Sequence, residues 1–231
     1  MKRVLSRILI TSGMLSGCFL MSVGHAQVVT AKPDAAKGEQ LYTNGDAARG
    51  VLACASCHGA AGNSTIPANP NLAGQAHEYL AKQLHDFAPK DADTPAARRG
   101  AGGADTVMTA FAKALTPEDI NNVAYYLGQQ PLNYETAASA TKEATMERGQ
   151  HIWRAGIPDR KVPACAGCHS ANGAGLPGEF PRLAGQFPGY IEEQLKLFRS
   201  GDRTNVMMHD IADRMSDSDI AAVADYAAGL R

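Results

Sequence analysis

The chain has 231 residues, 45% hydrophobic and 19% charged, enough for one large domain or two small ones and unlike a disordered chain in composition. Its 22 Lys and Arg stand against 23 Asp and Glu, and no basic stripe is present, which excludes a nucleic-acid partner.

The amino terminus is the compositional exception. Lys2, Arg3 and Arg7 precede an apolar run from Ile8 to Val23, no acid is present, and small residues stand at Gly24 and Ala26. This predicts a secretory signal peptide over residues 1–26, cut after Ala26. Two other readings are a retained membrane anchor, for which the run is short, and lipidation at Cys18 in "LSGC", against which the apolar "FLMSV" argues. Cleavage leaves 19 basic residues against 23 acidic ones, a net charge of −4. That balance weakly favours a partner with a basic docking face. Export also means an oxidising compartment, where paired cysteines can become disulfides.

Beyond the leader the sequence is written twice. "KGEQLY" from Lys37 pairs with "RGQHIW" from Arg148, and "CASCHGAAGNS" from Cys54 with "CAGCHSANGAG" from Cys165. "NPNLAGQAHEYLAKQLHDF" pairs with "FPRLAGQFPGYIEEQLKLF", and all three pairs share an offset of 111 residues. The last pair, "MTAFAKALTPEDINNVAYYL" and "MHDIADRMSDSDIAAVADYA", has an offset of 100. The first copy therefore holds eleven extra residues between Phe87 and Met108, in the loop "PKDADTPAARRGAGGADT". No Gly-Lys-Ser/Thr follows its glycines, so it is not a phosphate-binding loop. Two similar domains are expected, 27–133 and 134–231, joined near "QQPLNYETAASATKE", where Pro131 ends a helix.

Each copy reads as helical, so the expected fold class is all-α. Tyr79, Leu80, Gln83, Leu84 and Phe87 fall at helical spacing. Thr116 is the expected N-cap of the last helix, with Pro117 first and Asp119 third, and Ser216 and Asp219 repeat those roles. Gly38 and Gly149 are expected to let the first helix of each copy cross the last closely, near Tyr126 and Tyr226. Three to five helices with long loops bury little apolar surface in about 100 residues. A large apolar cofactor would fill the deficit.

The Cys-x-x-Cys-His stretches name that cofactor. Two thiols three positions apart can add to the two vinyl groups of haem, and the following histidine then reaches the iron. Cys54, Cys57, Cys165 and Cys168 are the expected attachment points of two covalent haem c groups, and His58 and His169 the proximal ligands. A zinc site would need more ligands within one copy. A redox dithiol would need a thioredoxin-like context, and a structural disulfide would not require the histidine. Met108 and Met208, each seven residues before Leu115 or Met215, are the expected sixth ligands, placed on a loop before the last helix. Met207 competes with Met208, which repeat register favours. Met146 and Met215 are read as core filler on helix faces. Pro70 and Pro181 each follow their histidine by twelve residues and could accept the proton of its other ring nitrogen. His77, His85 and His151 are read as surface residues, and His209 is given no role.

Two CxxCH motifs, two "LAGQ" segments and two "M-x-x-[FI]-A-x-x-[LM]-[ST]-x-x-D-I" segments together resemble the dihaem cytochrome c4 family, over residues from about Ala35 to Leu230. The resemblance implies two cytochrome c folds related by a pseudo-twofold axis, with the haems facing across the interface and polar contacts between their propionates. It implies a periplasmic, loosely membrane-associated electron carrier between a quinol-oxidising complex and a terminal oxidase, with no small-molecule substrate. The eleven-residue excess departs from that pattern and could dock a different partner. Two rival readings are a dihaem enzyme, such as a thiosulfate dehydrogenase or a peroxidase, and a cytochrome subunit held permanently on a dehydrogenase or oxidase. A cysteine-ligated enzyme is disfavoured because every cysteine beyond the leader lies in a CxxCH motif.

Overall fold

The computed structural model describes residues 32–231. The expected signal peptide and Cys18 lie outside the described residues. The first half contains α1 (Ala35–Asn44), α2 (Ala55–His58), α3 (His77–Phe87), α4 (Val107–Ala114) and α5 (Pro117–Gly128). The second half repeats the order with α6 (Glu143–Ala155), α7 (Ala166–His169), α8 (Pro188–Ser200), α9 (Val206–Asp213) and α10 (Asp217–Ala228). Among the described residues no strand forms, only isolated antiparallel bridges, in line with the all-α expectation.

The last helix of each half starts as its sequence dictates. Thr116 Oγ1 accepts from Asp119 N at 3.1 Å while Asp119 Oδ2 accepts from Thr116 N at 2.9 Å. Ser216 and Asp219 make the same pair at 3.2 and 3.1 Å. Each box satisfies amide donors that a helix start leaves orphaned. Both carboxylates also anchor remote cations: Arg49 reaches Asp119 at 2.6 Å, Arg148 reaches Asp219 at 2.6 Å, and Arg160 also pairs with Asp219. Burial alone would raise the Asp219 carboxyl, but Ser216, Arg148 and Arg160 hold it well below the usual carboxylate range.

First and last helices cross where a glycine removes the side chain. A Cβ on Gly38 would lie 2.1 Å from Asn122 O, and one on Gly149 would lie 2.4 Å from Ala222 O. Behind these crossings the aromatic rings pack at a tilt, Tyr42 against Tyr126 with centroids 5.7 Å apart and Trp153 against Tyr226 at 6.4 Å. Each half has its own apolar core. Leu41, Tyr42, Leu80, Val123 and Leu127 form the first, and Ile152, Trp153, Ile191, Ile220 and Val223 belong to the second.

Two expectations need correction. Met108 and Met208 lie not on loops but in the first turn of α4 and α9, at the second and third positions respectively. The cause is local capping. Thr106 Oγ1 accepts from Thr109 N at 3.3 Å, and Asn205 Oδ1 accepts from Met208 N at 2.9 Å. Met215 likewise sits between α9 and α10 rather than on a helix face, though it is buried in the core as expected.

The extra loop of the first copy is not wholly free to dock a partner. Its second part is bound to the second half. Thr204 N donates to Ala97 O at 2.7 Å, Arg99 N to Asp202 O at 2.9 Å, and Gly102 N to Asp202 Oδ2 at 3.1 Å. Arg98 and Arg203 form an antiparallel bridge there. Residues 90–95 remain exposed, as do Ala101, Gly102, Ala104 and Asp105.

Candidate cofactor cavity

In each half a single helical turn carries the Cys-x-x-Cys-His stretch. His58 N donates to Cys54 O and His169 N to Cys165 O, both at 2.9 Å, so the two cysteines and the histidine share one turn. The loop that follows is tied to the first helix. Tyr42 Oη donates to Gly59 O at 2.6 Å and accepts from Gly62 N at 3.1 Å, and Trp153 Nε1 donates to Ala171 O at 3.1 Å. None of the four cysteines of these turns is in a disulfide. Burial pushes the Cys54 thiol up, and pushes Cys165 to about 11. A redox dithiol needs a depressed thiol pKa, so that reading loses support.

The histidines are fixed as the sequence suggested. His58 Nδ1 lies 3.0 Å from Pro70 O, and His169 Nδ1 lies 2.9 Å from Pro181 O. A carbonyl only accepts, so each Nδ1 carries the proton and each Nε2 keeps its lone pair for a metal. Burial lowers the pKa of both rings, against a smaller opposing effect from the proline carbonyls, and so favours neutral imidazole.

A cavity of about 840 Å³ is lined by both halves. Cys54, Cys57, His58 and Met108 line it from one half, and Cys165, Cys168, His169 and Met208 from the other. Met207 lines it too but is 51% exposed, whereas Met208 packs against the second core. His77, His85 and His151 are exposed. His209 Nδ1 donates to Phe198 O at 2.8 Å, tying α9 to α8, a contact that repeat register gave no reason to expect.

Sequence reasoning missed the polar centre of this cavity. Arg98 donates to Gln83 Oε1 at 2.9 Å, Tyr190 Oη at 2.6 Å and Gln194 Oε1 at 3.1 Å. Arg203 donates to Gln194 Oε1 at 2.8 Å, Tyr79 Oη at 2.9 Å and Gln83 Oε1 at 2.7 Å. Each guanidinium also lies over a phenylalanine, Arg98 over Phe87 at 4.3 Å and Arg203 over Phe198 at 4.4 Å. Tyr79 and Tyr190, Gln83 and Gln194, and Phe87 and Phe198 are all 111 residues apart, so the pseudo-twofold axis passes through this cluster. The available signal was Gln83, a polar residue on the apolar stripe of α3.

The two cations at the centre of the cluster lack a direct ion pair, although Asp86 lies close enough to act on Arg203. Arg98 and Arg203 are only 7% and 8% exposed, and neither has a carboxylate within ion-pair distance among the described residues. Arg99, which also lines the cavity, keeps a buried Nε with no partner. Burial raises the Tyr79 phenol, but Arg203 and Arg98 bring it below its ordinary value. Buried cations without counter-ions are costly. A ligand with an apolar body and carboxylate arms would satisfy both the cations and the apolar walls. Haem is such a ligand, and two free imidazole nitrogens, two half-buried thioethers and four thiols complete the donor set it needs.

Comparisons with known proteins agree with that fit. The family model for cytochrome c matches residues 35–131 and again 146–230. The chain is 39% identical over 198 residues to cytochrome c4 of Stutzerimonas stutzeri, covering 82% of this chain and 91% of that protein. It is 35% identical over 209 residues to a thiosulfate dehydrogenase electron acceptor of Stutzerimonas stutzeri strain A1501, covering 89% of this chain and 91% of that protein. The crystal structure of reduced recombinant cytochrome c4 from Pseudomonas stutzeri superimposes with a TM-score of 0.70 at 32% identity, over 86% of this chain and all of that one.

Proposed function

Because the chain belongs to the cytochrome c family in its tandem cytochrome c4 form, with two covalently bound haem c groups, we propose that it is a periplasmic carrier moving electrons from a quinol-oxidising complex towards a terminal oxidase. Haem c supplies a one-electron ferric/ferrous couple. The halves are taken as 27–133 and 134–231, behind a signal peptide over 1–26, with loose membrane association. In this reading Cys54 and Cys57 hold one haem and Cys165 and Cys168 the other. His58 with Met108, and His169 with Met208, are the iron ligands.

The observation that carries the proposal is the paired donor set. Each half lines the cavity with a neutral imidazole whose Nδ1–H is already spent on a proline carbonyl, and with a thioether at the start of a capped helix. Such a set leaves no iron position for substrate, which suits electron transfer. The packing of the half-buried Met208 against the second core, beside the exposed Met207, supports the choice between them. Arg98, Arg203 and Arg99, which line the cavity, would neutralise the haem carboxylates and shield them from water.

The test is the absorption spectrum of the oxidised holoprotein, with haem counted per chain. Two haems with the weak far-red band of methionine–ferric ligation at two-haem intensity are expected. Two haems with that band halved or missing would refute the ligand set. A second reading is favoured by the thiosulfate dehydrogenase electron acceptor among the relatives: the electron donor would be a dehydrogenase acting on a small sulfur oxyanion. Rapid reduction by such an enzyme, with none by a quinol-oxidising complex, would select it.

A further inference from the structure

The two carbonyls that fix the histidines belong to peptide groups that also carry an N–H. Pro70 O and Asn71 N share one such group, and Asn71 N donates to Gln186 Oε1 at 3.0 Å, in the other half. Gln186 Nε2 donates back to Asn71 O at 2.9 Å. The mirror arrangement is complete. Pro181 O and Arg182 N share a peptide group, Arg182 N donates to Gln75 Oε1 at 3.0 Å, and Gln75 Nε2 donates to Arg182 O at 2.7 Å. Gln75 and Gln186 are 111 residues apart and both buried.

A continuous chain of hydrogen bonds therefore runs from each histidine, through one peptide group, to a glutamine of the opposite half. An amide whose N–H donates becomes a better acceptor at its oxygen, since hydrogen bonds in series polarise one another. A stronger acceptor on Nδ1–H makes Nε2 more basic. A more basic imidazole favours the ferric state over the ferrous one.

We propose that Gln186 lowers the reduction potential of the haem bound by His58, and Gln75 that of the haem bound by His169, each by polarising a peptide across the interface. The proposal rests on the histidine ligation put forward above. Both glutamines are positioning residues, since they act through the peptide and the imidazole. A glutamine that served only as a clasp would give no directed change at one haem.

The test uses the holoprotein, with two readouts: the two midpoint potentials, and the Hδ1 proton resonances of His58 and His169 in the diamagnetic ferrous state. Gln186→Met removes both bonds to Asn71. Gln186→Glu, protonated in this buried place, keeps both. With Gln186→Met, one midpoint should rise by the order of tenfold in the reduction equilibrium, about 59 mV for one electron. The His58 Hδ1 resonance should move and that of His169 should not. Gln186→Glu should leave the midpoint at or below the unmodified value, and Gln75→Met should raise the other midpoint. The proposal is overturned if the Met and Glu variants shift the same way, if both midpoints move together, or if neither moves. An absent ring-current-shifted Hδ1 for His58 or His169 in the unmodified protein would instead overturn the ligand assignment, and the proposal with it. Should Gln186→Met fail to take up haem, a Gln186→Glu midpoint above the unmodified one would be sufficient to overturn it.

Discussion

Replacing Gly149 by alanine sets helix propensity against packing, and the structure decides the winner. Alanine within a helix gains about 1 kcal/mol over glycine. Here the new Cβ would stand 2.4 Å from Ala222 O, 2.7 Å from Tyr226 Cβ and 3.0 Å from Ala222 C. Carbon contacts settle at about 3.5–4.0 Å, so α6 and α10 must part by roughly 1 Å. The obstacle is a helical carbonyl, which cannot rotate away as a side chain could. Parting by that amount forfeits about a quarter to a half of each dispersion contact along the crossing. The crossing includes Ile152, Trp153 and Val223, all nearly inaccessible to solvent. Overpacking costs about 1–3 kcal/mol in a well-packed core. Adding the weakened contacts and subtracting the propensity gain leaves a net loss of about 2 kcal/mol. Urea unfolding of the holoprotein, followed by fluorescence of its single tryptophan on α6, would measure it. Gly189→Ala is the control. It lies in α8, nothing meets its added Cβ within 4 Å, and it should be neutral or stabilising. Equal or greater stability for Gly149→Ala would refute the argument that backbone contact dictates this glycine.

Other outcomes follow from the remaining geometry. Asp219→Asn should cost about 2 kcal/mol at neutral pH, the scale of hydrogen bonds to a buried charge. Because the folded-state pKa of Asp219 is depressed, its contribution is complete above the unfolded carboxylate range and is lost as pH falls through and below it. The stability gap between Asp219→Asn and the unmodified protein should therefore close on acidification, and a constant gap would speak against the ion-pair account. Met108→Ala should open the iron of the first half, lower its potential and admit cyanide, as an equilibrium titration would show. An unchanged potential would reject Met108 as ligand. Arg98→Met and Arg203→Met each remove one buried cation from the cavity that would receive the haem carboxylates. Each should lower a midpoint potential and salt should screen little of the change, which voltammetry at two ionic strengths would test.

Legibility in the sequence depended on how far apart the interacting residues lie. The turn Cys54–His58, the capping pair Thr116–Asp119 and the Gly38 crossing could be read because each is either a local motif or a feature repeated at a fixed offset. The short helices around Met108 and Met208 escaped because eight residues are too few for a periodicity to declare itself. Arg98, Gln83 and Tyr190 escaped for another reason. Each is an ordinary residue in its own neighbourhood, and its meaning arises only when positions 92 or 96 apart in the chain come together. The loop before α4 misled because its Gly and Pro content is that of an exposed connector, while its backbone groups find partners in the other half. The proline carbonyls could be anticipated, but not the glutamines beyond them.

The bridge between Arg98 and Arg203 has a mechanical consequence. It lies ten residues ahead of Met108 and five ahead of Met208, so the segments leading to both methionine helices begin at one shared point. Swinging either methionine away from the iron proposed for it would strain that point and, through it, the approach to the other. A carrier benefits from stiffness there: the less its ligands shift between ferric and ferrous states, the smaller the structural rearrangement each electron must wait for. Two individually modest domains, bolted at the place where each would otherwise flex, thereby acquire a common rigidity that neither copy of the repeat encodes alone.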